Sequence, residues 1–146
     1  YLPAQTDGTG RFRITAPVEG PVSVAAISPR FAPAVQNDVE PPADEDAFEV
    51  VLQANSGGTL RVRVVHPGGA PVPGAQIAFR PVPLFPGCDV VMERNRPKTT
   101  DADGTTAVTL LYPGTYVVSV IGRRNAPAVQ VNVSEGVESN VVLEVP

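Results

Sequence analysis

Thr59-Leu60-Arg61-Val62-Arg63-Val64-Val65 alternates apolar and charged side chains, so that Leu60, Val62 and Val64 share one face and Arg61 and Arg63 the other. A period of two marks a strand with one buried and one wet side. Pro67-Gly68-Gly69 stops this strand, and Gly74-Ala75-Gln76-Ile77-Ala78-Phe79 opens a second. Val108 and Leu110 mark a third, closed by the turn Tyr112-Pro113-Gly114. Tyr116, Val118 and Val120 form a fourth, and Val129, Val131 and Val133 a fifth. Ser134-Glu135-Gly136 then turns the chain into Val141, Leu143 and Val145. Short strands with turn signals every ~8–12 residues predict an all-β sandwich in which sequence neighbours pair as antiparallel hairpins.

Composition agrees. The chain has 146 residues, with 17 Pro, 13 Gly and no Trp; it holds 25 Val against 7 Leu and 4 Ile. So many Pro and β-branched residues exclude a long helical bundle. No apolar run approaches the ~20 residues of a membrane-spanning helix, and Gly lacks the three-residue period of collagen. The net charge is −4, with 15 acidic side chains against 11 basic ones, which argues against a nucleic-acid partner. Cys88 is the only cysteine and His66 the only histidine. No intrachain disulfide can form, the two are far apart for a thiol–imidazole pair, and pairing of Cys88 between chains suits it better. The chain opens Tyr1-Leu2-Pro3, without initiator Met or signal peptide, and reads as a trimmed piece of something longer.

The chain also repeats itself. Thr6-Asp7-Gly8-Thr9-Gly10 lies over Thr100-Asp101-Ala102-Asp103-Gly104 at an offset of 94. Gly20 then falls on Gly114, Val22 on Tyr116, Val24 on Val118, and Ala32-Pro33-Ala34-Val35-Gln36 on the identical Ala126-Pro127-Ala128-Val129-Gln130. After a shift of three residues, Val50-Val51-Leu52 matches Val141-Val142-Leu143. The first copy starts at the equivalent of Asn95 and lacks any counterpart of residues 58–94. The expected organisation is therefore tandem: 1–54 as the rear half of one β-sandwich module, its front strands missing, and 55–146 as a complete module. The polar, Gly-containing joint Ala54-Asn55-Ser56-Gly57-Gly58 separates them. A module of about 90 residues can bury a working core, whereas the half module leaves apolar face and strand edge uncovered unless a neighbour supplies them.

Gly69-Ala70-Pro71-Val72-Pro73-Gly74-Ala75-Gln76-Ile77, Thr100-Asp101-Ala102-Asp103-Gly104 and Leu111-Tyr112-Pro113-Gly114-Thr115-Tyr116-Val117-Val118-Ser119-Val120 together resemble the carboxypeptidase regulatory-like domain. The resemblance covers 57–146 and recurs in its latter half over 1–54. It implies a transthyretin-like, prealbumin-type sandwich related to the Cna-B collagen-adhesin repeats, in a family of mostly non-catalytic modules of secreted and surface proteins. Cna-B relatives often carry an intramolecular Lys–Asn isopeptide bond. Here Lys98 is the only amine and does not lie on the first strand, so no such bond to Asn140 is expected. A hydroxyisourate hydrolase shares the transthyretin-like fold, but its several His and C-terminal Tyr-Arg-Gly-Ser are absent, and the chain ends Leu143-Glu144-Val145-Pro146.

The remaining candidates read more simply as structure. Asp101-Ala102-Asp103-Gly104 looks like the start of a calcium loop, but a hard cation needs six to eight oxygens or so and no distal Glu follows at the right spacing; a turn is the better reading. Glu40-Pro41-Pro42-Ala43-Asp44-Glu45-Asp46 is a Pro-broken acidic loop, solvated by default, with Asp44–Asp46 as a possible cation or partner site. Asn132-Val133-Ser134 has the form of a glycosylation sequon. Tyr1 and Tyr112 are the aromatic residues available to a glycan, with Tyr112 assigned to the turn. No catalytic, cofactor-binding or metal residue is assigned. The expected function is a non-catalytic extracellular or cell-surface module: a spacer, scaffold or filament subunit. Its first half would be completed by strands of a preceding repeat or of another copy. The alternative is a glycan- or protein-binding accessory module of a larger secreted enzyme or receptor.

Overall fold

The computed structural model describes residues 2–15, 20–42, 48–84, 96–123 and 128–146. Its strands are β1 (Val22–Ala26), β2 (Ala34–Val39), β3 (Gly58–Val65), β4 (Gln76–Val82), β5 (Lys98–Thr99), β6 (Thr105–Leu111), β7 (Gly114–Val120), β8 (Val129–Val133) and β9 (Glu138–Glu144). No helix occurs among the described residues. The strands form three sheets: a pair β1-β2, a three-stranded sheet in the order β6-β3-β9, and a four-stranded sheet in the order β5-β4-β7-β8.

The two larger sheets face each other and enclose the core. The inward row of β3, Leu60, Val62 and Val64, is wholly buried, while Arg61 and Arg63 stay in solvent, as the alternation requires. Val108 and Leu111 of β6 and Val141 and Leu143 of β9 complete that inner face. Ile77 and Phe79 of β4, Tyr116, Val118 and Val120 of β7, and Val133 of β8 oppose it. Each such side chain contributes about 1.5–3 kcal/mol by leaving water. The ring of Tyr116 is buried, and its hydroxyl donates to the carbonyl of Tyr112 at 2.8 Å, which ties the entry of β7 to the turn before it.

Three local expectations change. First, β3 pairs antiparallel with β6 on one side but parallel with β9 on the other, from Thr59↔Glu138 to Val65↔Glu144. The chain reaches β9 by crossing over from the opposite sheet, so the first and last strands of the sandwich run the same way. Second, Tyr112-Pro113-Gly114 and Ser134-Glu135-Gly136 are not hairpin turns. β6 and β7 belong to different sheets, as do β8 and β9, so both turns are crossings between layers. Third, the buried residue at the end of β6 is Leu111 and not Leu110. Gly58 faces Leu111 and Leu60 faces Val108, so β6 carries one extra residue, and Leu110 takes it up at φ 58°.

Candidate assembly site: the uncovered first segment

The repeat is visible in the structure at its Asp-Gly turns. In the second copy, Asp101 N–H donates to the Thr105 carbonyl (2.8 Å) and Gly104 N–H to the Asp101 carbonyl (3.1 Å). Asp101 Oδ1 accepts from the N–H of Asp103 (3.0 Å) and of Thr105 (2.8 Å). In the first copy the same four bonds recur: Asp7 to Arg11 (2.8 Å), Gly10 to Asp7 (3.0 Å), and the Thr9 and Arg11 N–H groups to Asp7 Oδ1 at 2.8 and 3.0 Å. Both carboxylates titrate below the usual carboxylate value. Asp7 is held down first by the Thr9 hydroxyl and then by the Arg11 N–H; Asp101 first by the Thr105 N–H and then by its hydroxyl. Each Asp therefore organises a turn.

Past the turn the copies diverge for a topological reason. In the second copy β6 and β9 do not pair with each other; each pairs with β3, which lies between them. Among the described residues no strand plays the part of β3 beside the first copy. Its equivalents of β6 and β9 fall at Arg11–Thr15 and Phe48–Gln53, and neither forms a strand. Its equivalents of β7 and β8 pair with each other without help from the front half, and they are β1 and β2. Even this pair is irregular: Ala25 faces Val35, whereas the equivalents of Val24 and Val35, Val118 and Val129, face each other in the second copy. A bulge at Asn37–Asp38, with Asp38 at φ 54°, sets Val22 opposite Val39. Asn37 stands where the second copy has Val131, and its buried Oδ1 has no hydrogen-bond partner among the described residues.

Two further contrasts separate the copies. Gly104 (φ 69°) lies so close to β3 that an added Cβ would be 2.6 Å from the Val64 carbonyl oxygen, whereas Gly10 (φ 82°) has nothing within 4 Å. Thr100 is buried: its hydroxyl donates to the Val72 carbonyl (2.8 Å) and accepts from the Ala75 N–H (2.9 Å), stitching the Pro71–Ala75 loop to β5. Thr6, its equivalent, is exposed. Apolar exposure follows. Ile14 is 43% exposed where Val108 is 4%, and Phe48 is 38% exposed; Ile27 and its equivalent Ile121 are exposed in both copies. The core cluster runs from Leu60 to Val145 and takes in no described residue of the first segment.

The joint is tied on both sides. The Asn55 carbonyl accepts from Ala32 N–H (3.0 Å), Ser56 donates through N–H and Oγ to Glu135 Oε1 (3.0 and 3.2 Å), and the Gly57 carbonyl accepts from Gly136 N–H (2.8 Å). Gly57 is buried at φ 64°, and an added Cβ would be 2.7 Å from Ala32 Cβ. Beside it, an open depression of about 230 Å³ is bordered by Gln36, Leu52, Asn55 and Tyr112.

The other residues singled out are scattered. Lys98 lies on β5, and Asn140 lies exposed on β9 of the other sheet, in register with Arg61. Asn132 is exposed within β8, its Oδ1 accepting from Thr115 Oγ1 at 2.6 Å. His66 follows β3, its N–H bonded to the Ala70 carbonyl (2.8 Å). Cys88, Tyr1 and the Asp44–Asp46 loop lie outside the described residues. Among the described residues no cluster of three or more His, Cys, Asp or Glu side chains could hold a metal, and no helix is long and apolar enough to cross a membrane. Sequence reading named Gly57 within the joint and Thr100 within the turn motif but gave neither its packing role, and it passed over Asn37, which carries no local signal.

No family model matches the chain, and no curated protein matches it. Among solved structures it is similar to GBS52, the minor pilin of Streptococcus agalactiae, with a TM-score of 0.50 and 14% identity over 97% of this chain and 66% of that one. The Bacillus anthracis TIE protein gives 0.46 and 12% identity over 96% and 31%, and the shaft pilin spaA from Lactobacillus rhamnosus GG 0.40 and 11% over 98% and 69%. The chain thus spans less than two thirds of the minor pilin and of the TIE protein. At such identity the likeness speaks for fold alone: this is an all-β chain of β-sandwich type, similar in fold to a Gram-positive minor pilin.

Proposed function

We propose that the chain is a non-catalytic structural module, borne outside the cell or on its surface, that assembles with neighbouring modules as a spacer, scaffold or filament subunit. The observation that carries this reading is the uncovered first segment: an Asp-organised turn as in the second copy and an antiparallel strand pair at the same place in the chain, with two segments that have no strand partner among the described residues and with exposed Ile14 and Phe48. The fold likeness to GBS52, a minor pilin, supports it. So does the resemblance of 57–146 to carboxypeptidase regulatory-like domains, whose members are mostly accessory or repeat modules. In this reading 1–54 is the rear half of one module and 55–146 a complete one. Electron microscopy and light scattering of the 146-residue chain, alone and mixed with a preceding repeat of the same type, test it: association in at least one of the two is expected, and a well-folded monomer that stays unassociated in both overturns it.

The depression beside Tyr112 favours a second reading, a glycan- or protein-binding accessory module of a larger secreted protein. Glycan arrays that lose signal on Tyr112→Ala would select it over the scaffold.

A further inference from the structure

We propose that one extended strand inserts between Arg11–Thr15 and Phe48–Gln53, antiparallel to the first and parallel to the second, and that it carries a carboxylate opposite Arg11. The proposal rests on the assembly reading and names the partner of the same site.

The second copy supplies the register. There Leu60, Arg61, Val62 and Arg63 of β3 face Val108, Ala107, Thr106 and Thr105. At the repeat offset these are Ile14, Arg13, Phe12 and Arg11. On the other side Arg61, Val62, Arg63 and Val64 face Asn140, Val141, Val142 and Leu143, the equivalents of Glu49, Val50, Val51 and Leu52. Exposure supports the correspondence, for Val142 and Val51, both on the outer face, are 62% and 76% exposed. An incoming strand therefore meets Phe12, Ile14, Val50 and Leu52 with its inner row, and an apolar residue at every second position covers them. Gly10 leaves open the space that the strand's backbone would occupy, as Gly104 does beneath Val64.

The outer row decides the occupant. At the position of Arg61 the neighbours are Arg13 and Glu49, one of each sign. At the position of Arg63 they are Arg11 and Val51, so the only charge there is positive. Among the described residues none of these side chains is engaged in an ion pair; the one present joins Arg61 to Glu138. Like charges directly opposite destabilise a ladder and opposite charges stabilise it. A second copy donating its own β3 would set Arg63 against Arg11, and would also have to strip the central strand out of its own core. The occupant is thus a front strand of a different repeat of this type, apolar on alternate residues and acidic where β3 has Arg63.

Two peptides of the sequence of residues 58–65, one unchanged and one with Arg63→Glu, test this on the intact chain by hydrogen exchange and by NMR of the amides of 11–15 and 48–53. The Glu peptide should protect both segments together and bind about 5-fold more tightly than the Arg peptide, with the gap closing in high salt. Gly10→Ala should abolish the effect, since its Cβ would meet the incoming backbone. A second arm places residues 56–94, with either residue at the copied position 63, ahead of Tyr1 and reads the same amides. Protection of neither segment in both arms, protection of one alone, or equal behaviour of the Arg and Glu versions overturns the proposal. Assembly of the unmodified chain is scored separately: filaments without peptide protection would leave the assembly reading standing and remove this one.

Discussion

Gly104 and Gly10 hold the same place in the two copies and are glycine for partly different reasons. Both sit at positive φ, which costs an L side chain about 1–2 kcal/mol. Gly104 alone is also pressed by backbone, 2.6 Å from the Val64 oxygen and 2.9 Å from the Val72 nitrogen for an added Cβ. Gly104→Ala should therefore lower stability by about 3 kcal/mol, and Gly10→Ala should leave the main urea transition almost unmoved; equal shifts would mean that φ alone matters at both. The sequence marks both turns equally through Thr-Asp and Gly, but it cannot show that one is roofed and the other open. The turn carboxylates make a second test. Because the folded Asp101 titrates below its unfolded value, its stabilisation is complete above the unfolded value and is lost as the pH falls through the folded one. The Tm should fall on the acid side of pH ~4, and Asp101→Asn should flatten that fall while lowering the Tm at neutral pH.

Among the elements, β6 shows best where periodicity stops being informative. Alternation from Val108 points to Leu110 as the next inward residue, yet the bulge hands that place to Leu111. The extra residue is set by pairing against Gly58–Leu60, and nothing within β6 announces it except the Leu110-Leu111 doublet. Leu111→Ala should cost about 3 kcal/mol. Leu110→Gly should hold stability or raise it by up to about 1 kcal/mol, because it relieves a left-handed leucine. Urea midpoints of the two variants separate these readings, and a larger loss at Leu110 would refute the bulge. The parallel β3–β9 ladder escaped sequence reading for a similar reason. Alternation states which side of a strand is buried and says nothing about which strand lies beside it. What the repeat does make legible is which positions of the two copies correspond, because an offset of 94 is a matter of counting residues.

For the whole molecule the central question is how much of the stability depends on the first segment. The core cluster runs from Leu60 to Val145, and among the described residues the first segment is tied to the joint by the bond from Ala32 N–H to the Asn55 carbonyl, close to where Ala32 meets Gly57. Among the described residues β1 and β2 pair with each other and with no strand of the two larger sheets. A chain trimmed to 55–146 should therefore unfold in one cooperative step, with a Tm within a few degrees of the full chain. The urea m value is the sharper reading, since it scales with the surface exposed on unfolding and not with chain length. If the first segment buries little of its own, the m value of the trimmed chain matches that of the full chain, although more than a third of the residues are gone. An m value that drops in proportion to length would mean that the first segment folds as part of the same unit. Its exposed apolar residues would then need an explanation other than a missing partner.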